Sequence, residues 1–144
     1  MNEELTANAD VTIDASLAEV WDALVNPEVI KRYMMGATVV SDWREGSPIA
    51  WRGEWKGKPF EDHGRIVELR APRHLKYTHF SPLTGLLDVP ENYHNVTVDV
   101  TGQDGAVHVT LSQDNNKTRA ARDDSQKNWE MMLKGLKNAV ERPS

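Results

Sequence analysis

The chain has 144 residues, 39% of them hydrophobic and 27% charged, with a formal net charge of −5 and no cysteine. That length suits one domain around one continuous core, so residues 1–144 are read as a single domain. The acidic balance argues against a nucleic-acid or anionic-membrane partner, and the lack of cysteine excludes disulfides, thiolate nucleophiles and cysteine-based metal sites.

Met1 to Asp10 carries acids but neither a basic nor an apolar leader segment. No apolar run approaches the roughly 20 residues of a membrane helix, so a cytoplasmic location is expected. Leu5 to Ile13 reads as a strand. Ser16 followed by Glu19 is a capping box, and the helix it opens carries Leu17, Val20, Trp21 and Leu24 on one face. Asn26-Pro27 starts a second short helix that runs to about Tyr33 before Gly36. From Thr38 to Gln113 the signal is β. Strands are expected at Thr38 to Trp43, Ile49 to Trp55, Glu61 to Leu69, His74 to Phe80, Asn95 to Thr101 and Val107 to Leu111. Turns at Glu45 to Pro48, Lys56 to Pro59 and Gly102 to Gly105 separate them, and Ser81 to Asn92 is a long proline-bearing loop. After a polar loop at Asp114 to Lys117, one long helix runs to about Glu141 with Ser125, Trp129, Met132, Leu136 and Val140 as its stripe.

The order is strand, two short helices, six strands, one long helix. This is an α+β arrangement in which an antiparallel sheet buries one face by curling around the last helix. Val20-Trp21-Asp22-Ala23-Leu24 with Asn26-Pro27-Glu28, Asp42-Trp43 with Glu45 to Ile49, Gly64 to Leu69 with Leu75 to Thr78, Thr110-Leu111 with Gln113 to Asn115, and Asn128-Trp129 with Leu133, Leu136 and Lys137 together resemble the START-like helix-grip superfamily. Within it the chain resembles the bacterial proteins similar to the C-terminal domain of the heat-shock-protein-90 ATPase activator. The resemblance implies a helix-grip fold, a curved sheet of about seven strands around the C-terminal helix, and a cavity between them. It implies no particular reaction.

Several residues bear on that cavity. Trp51 and Trp55 share strand parity with Ile49, and Gly53 leaves space between them. With Trp43 these rings either fill the core or line a pocket. Leu75, Tyr77 and His79 share a parity opposite to Lys76, which sends the row inward. His63 is left free to face the other way. Tyr93 and His94 end the long loop, which either caps the cavity mouth or is a plain connection. Trp129 and Met132 approach from the long helix, and Met34 and Met35 offer adaptable lining. The expected ligand-binding set is thus Trp43, Trp51, Trp55, Tyr77, His79, Tyr93, Trp129 and Met132. The histidines show no metal-ligand spacing, and no Gly-x-Ser-x-Gly elbow or glycine-rich phosphate loop occurs, so no metal, cofactor or assigned catalytic residue is expected.

Three functions fit. The first is binding of a small apolar or amphipathic molecule in the cavity. The second is a cyclase- or hydratase-like enzyme using Tyr77 and His79 as acid and base. The third is a chaperone cofactor working by protein–protein contact, in doubt because the chain lacks the extra N-terminal domain of the eukaryotic activator. A homodimer stays open.

Overall fold

The computed structural model describes residues 5–34, 36–82, 85–103 and 105–141. Its elements are β1 (Ala7–Ile13), α1 (Leu17–Val25), α2 (Pro27–Tyr33), β2 (Thr38–Ser41), β3 (Pro48–Trp55), β4 (Lys58–Arg70), β5 (His74–His79), β6 (His94–Gln103), β7 (Ala106–Gln113) and α3 (Arg119–Glu141).

The helix starts follow local chemistry. Ser16 Oγ accepts from the Glu19 amide at 3.1 Å, and the Glu19 carboxylate accepts from the Ser16 amide at 3.2 Å, closing the capping box of α1. Asn26 Oδ1 accepts from the Glu28 amide at 3.0 Å and caps α2, with Pro27 in its first turn. Thr118 Oγ1 does the same for the Ala121 amide at the start of α3.

All seven strands are antiparallel and form one curved sheet in the order β1-β7-β6-β5-β4-β3-β2. β1 is thus zipped to β7 rather than to β2, with Ala7 opposite Gln113 and Ile13 opposite Val107. Alternation sorts the sheet into two faces. Val96, Val98 and Val100 of β6 and Val107, Val109 and Leu111 of β7 are buried on the concave face. α1, α2 and α3 pack over that face, completing the α+β helix-grip architecture.

α3 is anchored along β1. The Asn8 amide donates to Gln126 Oε1 at 3.2 Å, and Lys137 Nζ donates to the Thr12 carbonyl at 2.9 Å. The most buried line on α3 is Leu133 and Leu136, each contributing roughly 1.5–3 kcal/mol by burial. Trp129, Met132 and Val140 are half-buried beside it. The stripe expected from spacing is therefore rotated: Trp129 and Met132 flank the core instead of forming its centre. Trp21, expected in the core, is likewise half-buried on its edge, while Val20 and Ala23 form the buried face of α1.

Candidate functional site

The site starts with the parity of β5. Leu75 and Tyr77 are buried at 3% and 6% exposure, and His79 continues their row on the concave face. A β-bulge capable of reversing this parity does occur nearby, but on β4 between Ile66 and Glu68, so the β5 row is intact.

β4 supplies the partner of that row. Asp62 Oδ2 lies 3.0 Å from His79 Nε2. The carboxylate accepts, so His79 Nε2 carries the proton. The other carboxylate oxygen, Oδ1, is buried with no hydrogen-bond partner among the described residues. The imidazole of His79 meets the Trp51 ring edge-on at 5.0 Å between centroids, and Trp51 meets Tyr77 at 5.2 Å. His94, opposite His79 on β6, stacks loosely against it at 6.3 Å. Its Nδ1 donates to the Asp114 carbonyl at 2.7 Å, and burial holds its pKa below the usual histidine value.

Two tyrosines on the concave side, Tyr77 buried and Tyr33 half-buried, differ in their partners. The Tyr33 hydroxyl donates to the Ala23 carbonyl at 2.8 Å. The Tyr77 hydroxyl has no hydrogen bond among the described residues. Burial pushes both phenols well above their ordinary pKa, so both stay neutral.

Trp51, Asp62, Tyr77 and His79, with Phe60 of β4, Gln113 of β7 and Ser125, Asn128, Trp129 and Met132 of α3, line an open-mouthed cavity of about 270 Å³. Met34, Ala37 and Glu54 complete the wall. Trp129 Nε1 donates to Gln113 Oε1 in a short hydrogen bond that ties α3 to the end of β7. Phe60 sits opposite Gly53, and a Cβ added at Gly53 would stand 3.0 Å from its ring. The space beside Trp51 left by that glycine is thus filled by a cross-strand aromatic ring.

Of the expected set, Trp51, Tyr77, His79, Trp129 and Met132 meet around this cavity. The side chain of Trp55 lies outside the described residues, as does Met35. Trp43 needs correction: it is not part of this wall. β2 ends at Ser41, whose Oγ accepts from the Trp43 amide at 3.1 Å, and Trp43 takes a left-handed φ of 54° in the turn. Its half-buried ring packs against the core elsewhere.

Tyr93 needs the larger correction. The described end of the long loop, with Asp88, Pro90 and Tyr93, lies against the convex face, away from the cavity. Tyr93 stacks on Phe80 at 5.2 Å, and its hydroxyl lies 3.0 Å from His63 Nε2 and donates to Asp88 at 2.5 Å. Asp88 in turn lies 2.9 Å from His63 Nε2. The Tyr93 hydroxyl, desolvated and bonded to that carboxylate, is raised to about 12.

Sequence reasoning missed Asp62, Phe60 and Gln113. Asp62 was within reach, because a His63 facing outward forces its neighbour inward. Phe60 required knowing that β4 begins at Lys58. The two left-handed turn residues Lys56 (φ 51°) and Gly57 (φ 79°) make a tight two-residue hairpin there.

Among the described residues no group of three histidine, cysteine, aspartate or glutamate side chains is placed to hold a metal ion, and no helix is long and apolar enough to cross a membrane. No curated protein matches the chain. Among solved structures, ChR145 from Cytophaga hutchinsonii is 52% identical, with a TM-score of 0.85 over 98% of this chain and 97% of that one. The Aha1 dimer from Colwellia psychrerythraea is 17% identical, with a TM-score of 0.73 over 95% and 96%. CalU16 from Micromonospora echinospora is 18% identical, with a TM-score of 0.71 over 97% and 86%. The latter two share the fold. Residues 14–141 match the profile of the activator of Hsp90 ATPase homolog 1-like proteins. With that match and the 52% identical relative, the chain belongs to this family, within the START-like helix-grip superfamily.

Proposed function

We propose that the chain binds a small amphipathic molecule in the cavity between the sheet and α3. The observation that carries this reading is the mixed lining of the pocket. Trp51, Phe60, Trp129 and Met132 offer apolar and aromatic surface, Asp62, His79 and Tyr77 offer polar groups on β4 and β5, and Glu54, Gln113, Ser125 and Asn128 add others on β3, β7 and α3. Apolar pockets with a few convergent polar groups are the usual form of small-molecule sites. At about 270 Å³ the space lies just under the common range for drug-sized ligands. The body would contact Trp51, Trp129 and Met132, and the head would meet Tyr77 and the Asp62–His79 pair.

The acid–base reading is weaker. Proton transfer is most efficient from a group whose pKa lies near the working pH, and burial moves the Tyr77 phenol away from it. The chaperone reading rests on the family description alone.

The test is native mass spectrometry of freshly purified protein for a co-purified small molecule, followed by thermal melts against lipid, aromatic and polyketide libraries. A true ligand at about 100 times its Kd stabilises by roughly 2.7 kcal/mol and raises Tm. Met132→Trp, which fills the cavity, should remove that shift while the protein stays folded. No adduct and no shift from any library would defeat the reading.

A further inference from the structure

The wall of the cavity is unequal in charge. Two carboxylates, Asp62 and Glu54, stand in it, and among the described residues lining it there is no lysine or arginine. One of the two carboxylates is incompletely satisfied. His79 engages Asp62 Oδ2 at 3.0 Å, and Asp62 Oδ1 is buried without a donor among the described residues. A buried carboxylate oxygen without a hydrogen bond is costly, and an incoming donor recovers that cost. The Tyr77 hydroxyl, also unpartnered, supplies an acceptor on the neighbouring strand. Around these groups the rings of Trp51, Tyr77 and Trp129 carry the negative quadrupole faces that attract cations. The chain as a whole, at −5, favours approach of cations over anions.

We infer that the ligand of this cavity is a primary amine, protonated, on a short aromatic or aliphatic body, and that Asp62 selects it. The inference rests on the cavity-binding reading and names the chemistry of the head group. An ammonium group has three donors and no acceptor, so it can satisfy the open Asp62 Oδ1 with charge as well as a hydrogen bond. A carboxylate or phosphate would bring a negative charge against Asp62 with no fixed cation to offset it. An alcohol brings one donor and no charge. The space suits a small body: a dry cavity of about 150 Å³ accepts benzene, so about 270 Å³ receives one ring and a short chain.

A matched series tests this: propylbenzene, 3-phenylpropan-1-ol, 3-phenylpropylamine and 3-phenylpropionate, titrated by calorimetry into the wild-type protein and Asp62→Asn. The wild type should bind the amine about tenfold or more tighter than the alcohol, as expected of a charge-assisted hydrogen bond, and should not bind the propionate. In Asp62→Asn the amine-to-alcohol ratio should fall below about threefold, with propylbenzene affinity unchanged. Should Asp62→Asn not fold, the Asp62 carboxyl carbon resonance of the wild type must move on adding amine and stay still on adding propylbenzene. A propionate that binds as well as the amine, or a ratio that survives Asp62→Asn, overturns the inference while leaving the cavity-binding reading in place. If no compound of the series binds, the inference falls, while the cavity-binding reading is decided separately by the library melts.

Discussion

Gly64 is the point of closest approach between β4 and β5, and replacing it with alanine should be among the most damaging small substitutions in the chain. A Cβ built there would stand 1.7 Å from the Thr78 carbonyl oxygen, 2.5 Å from its carbonyl carbon and 3.1 Å from its Oγ1. The first two are backbone atoms, which no rotamer change can move. Gly64 does not sit in the left-handed region, so the effect is steric rather than conformational. To relieve it the two strands must part by more than an ångström. That separation strains the paired bonds between His63 and Phe80, at 3.0 and 2.8 Å, and the Arg65 amide bond to Thr78 Oγ1 at 2.9 Å. Overpacking costs about 1–3 kcal/mol and each of the three lost hydrogen bonds about 1 kcal/mol, giving a combined loss of about 4–6 kcal/mol. For a domain of this size that lowers Tm by about 10–20 °C. The damage should also reach the cavity, because Asp62 lies two residues before Gly64 on β4 and His79 directly follows Thr78 on β5. Urea unfolding gives the stability, and the His79 ring resonances report the Asp62 contact. Gly105→Ala is the control: its φ is +92° but a Cβ there meets nothing, so only the conformational cost of about 1 kcal/mol remains. A Gly64→Ala loss no larger than that of Gly105→Ala would refute the steric argument.

Two further outcomes follow from burial and charge. Leu136→Ala empties a fully buried position and should cost about 3–5 kcal/mol in urea unfolding, whereas Met131→Ala, on the exposed side of the same helix at 58% exposure, should cost under about 0.5 kcal/mol. His74, on the convex face, is held by Asp99 at 2.6 Å and Glu68 at 3.0 Å, first by Asp99 and then by Glu68 raising its pKa above 6.5. The contribution of a raised histidine is complete below about 6.5 and is lost as pH rises through the raised value. Glu68, lowered from 4.5 chiefly by its bond to His74, contributes above 4.5 and loses its contribution as pH falls through the lowered value. The stability difference between wild type and His74→Gln should therefore peak between about pH 4.5 and 6.5 and shrink in alkali; a difference that grows above pH 8 would contradict the assignment.

What could be read from the chain alone depended on how local its cause was. The capping box of Ser16 and Glu19 and the Asn26-Pro27 start are complete within a few residues, and both formed as spelled. Parity along β5 is equally local, and it put Tyr77 and His79 on the correct face. Trp43 failed because a strand end is decided by competition: the Ser41 hydroxyl captures the Trp43 amide, and a ladder amide is lost to the turn. Tyr93 failed because a loop's choice of face is set by its contacts across the sheet. Nothing near Tyr93 in sequence announces His63, thirty residues earlier, as its partner. Gln113 belongs to the same class, being placed by its helix–strand contact with Trp129, whereas Asp62 was readable from the outward His63 beside it.

The pairing of β1 with β7 has a consequence during synthesis. The two strands are about a hundred residues apart, a long loop to close. At ribosomal rates of roughly 5–20 residues per second, β1 waits on the order of 5–20 seconds before its partner emerges. During that interval both its edges are open, whereas in the finished sheet one is paired with β7, and open edges recruit other chains. Its outward positions carry Asn8, Asp10 and Thr12, so the waiting strand presents one polar face with an acid at its middle. Those residues contribute little to the finished core, and a polar face with an acid at its middle is the kind of blunting that discourages edge-to-edge pairing before β7 arrives.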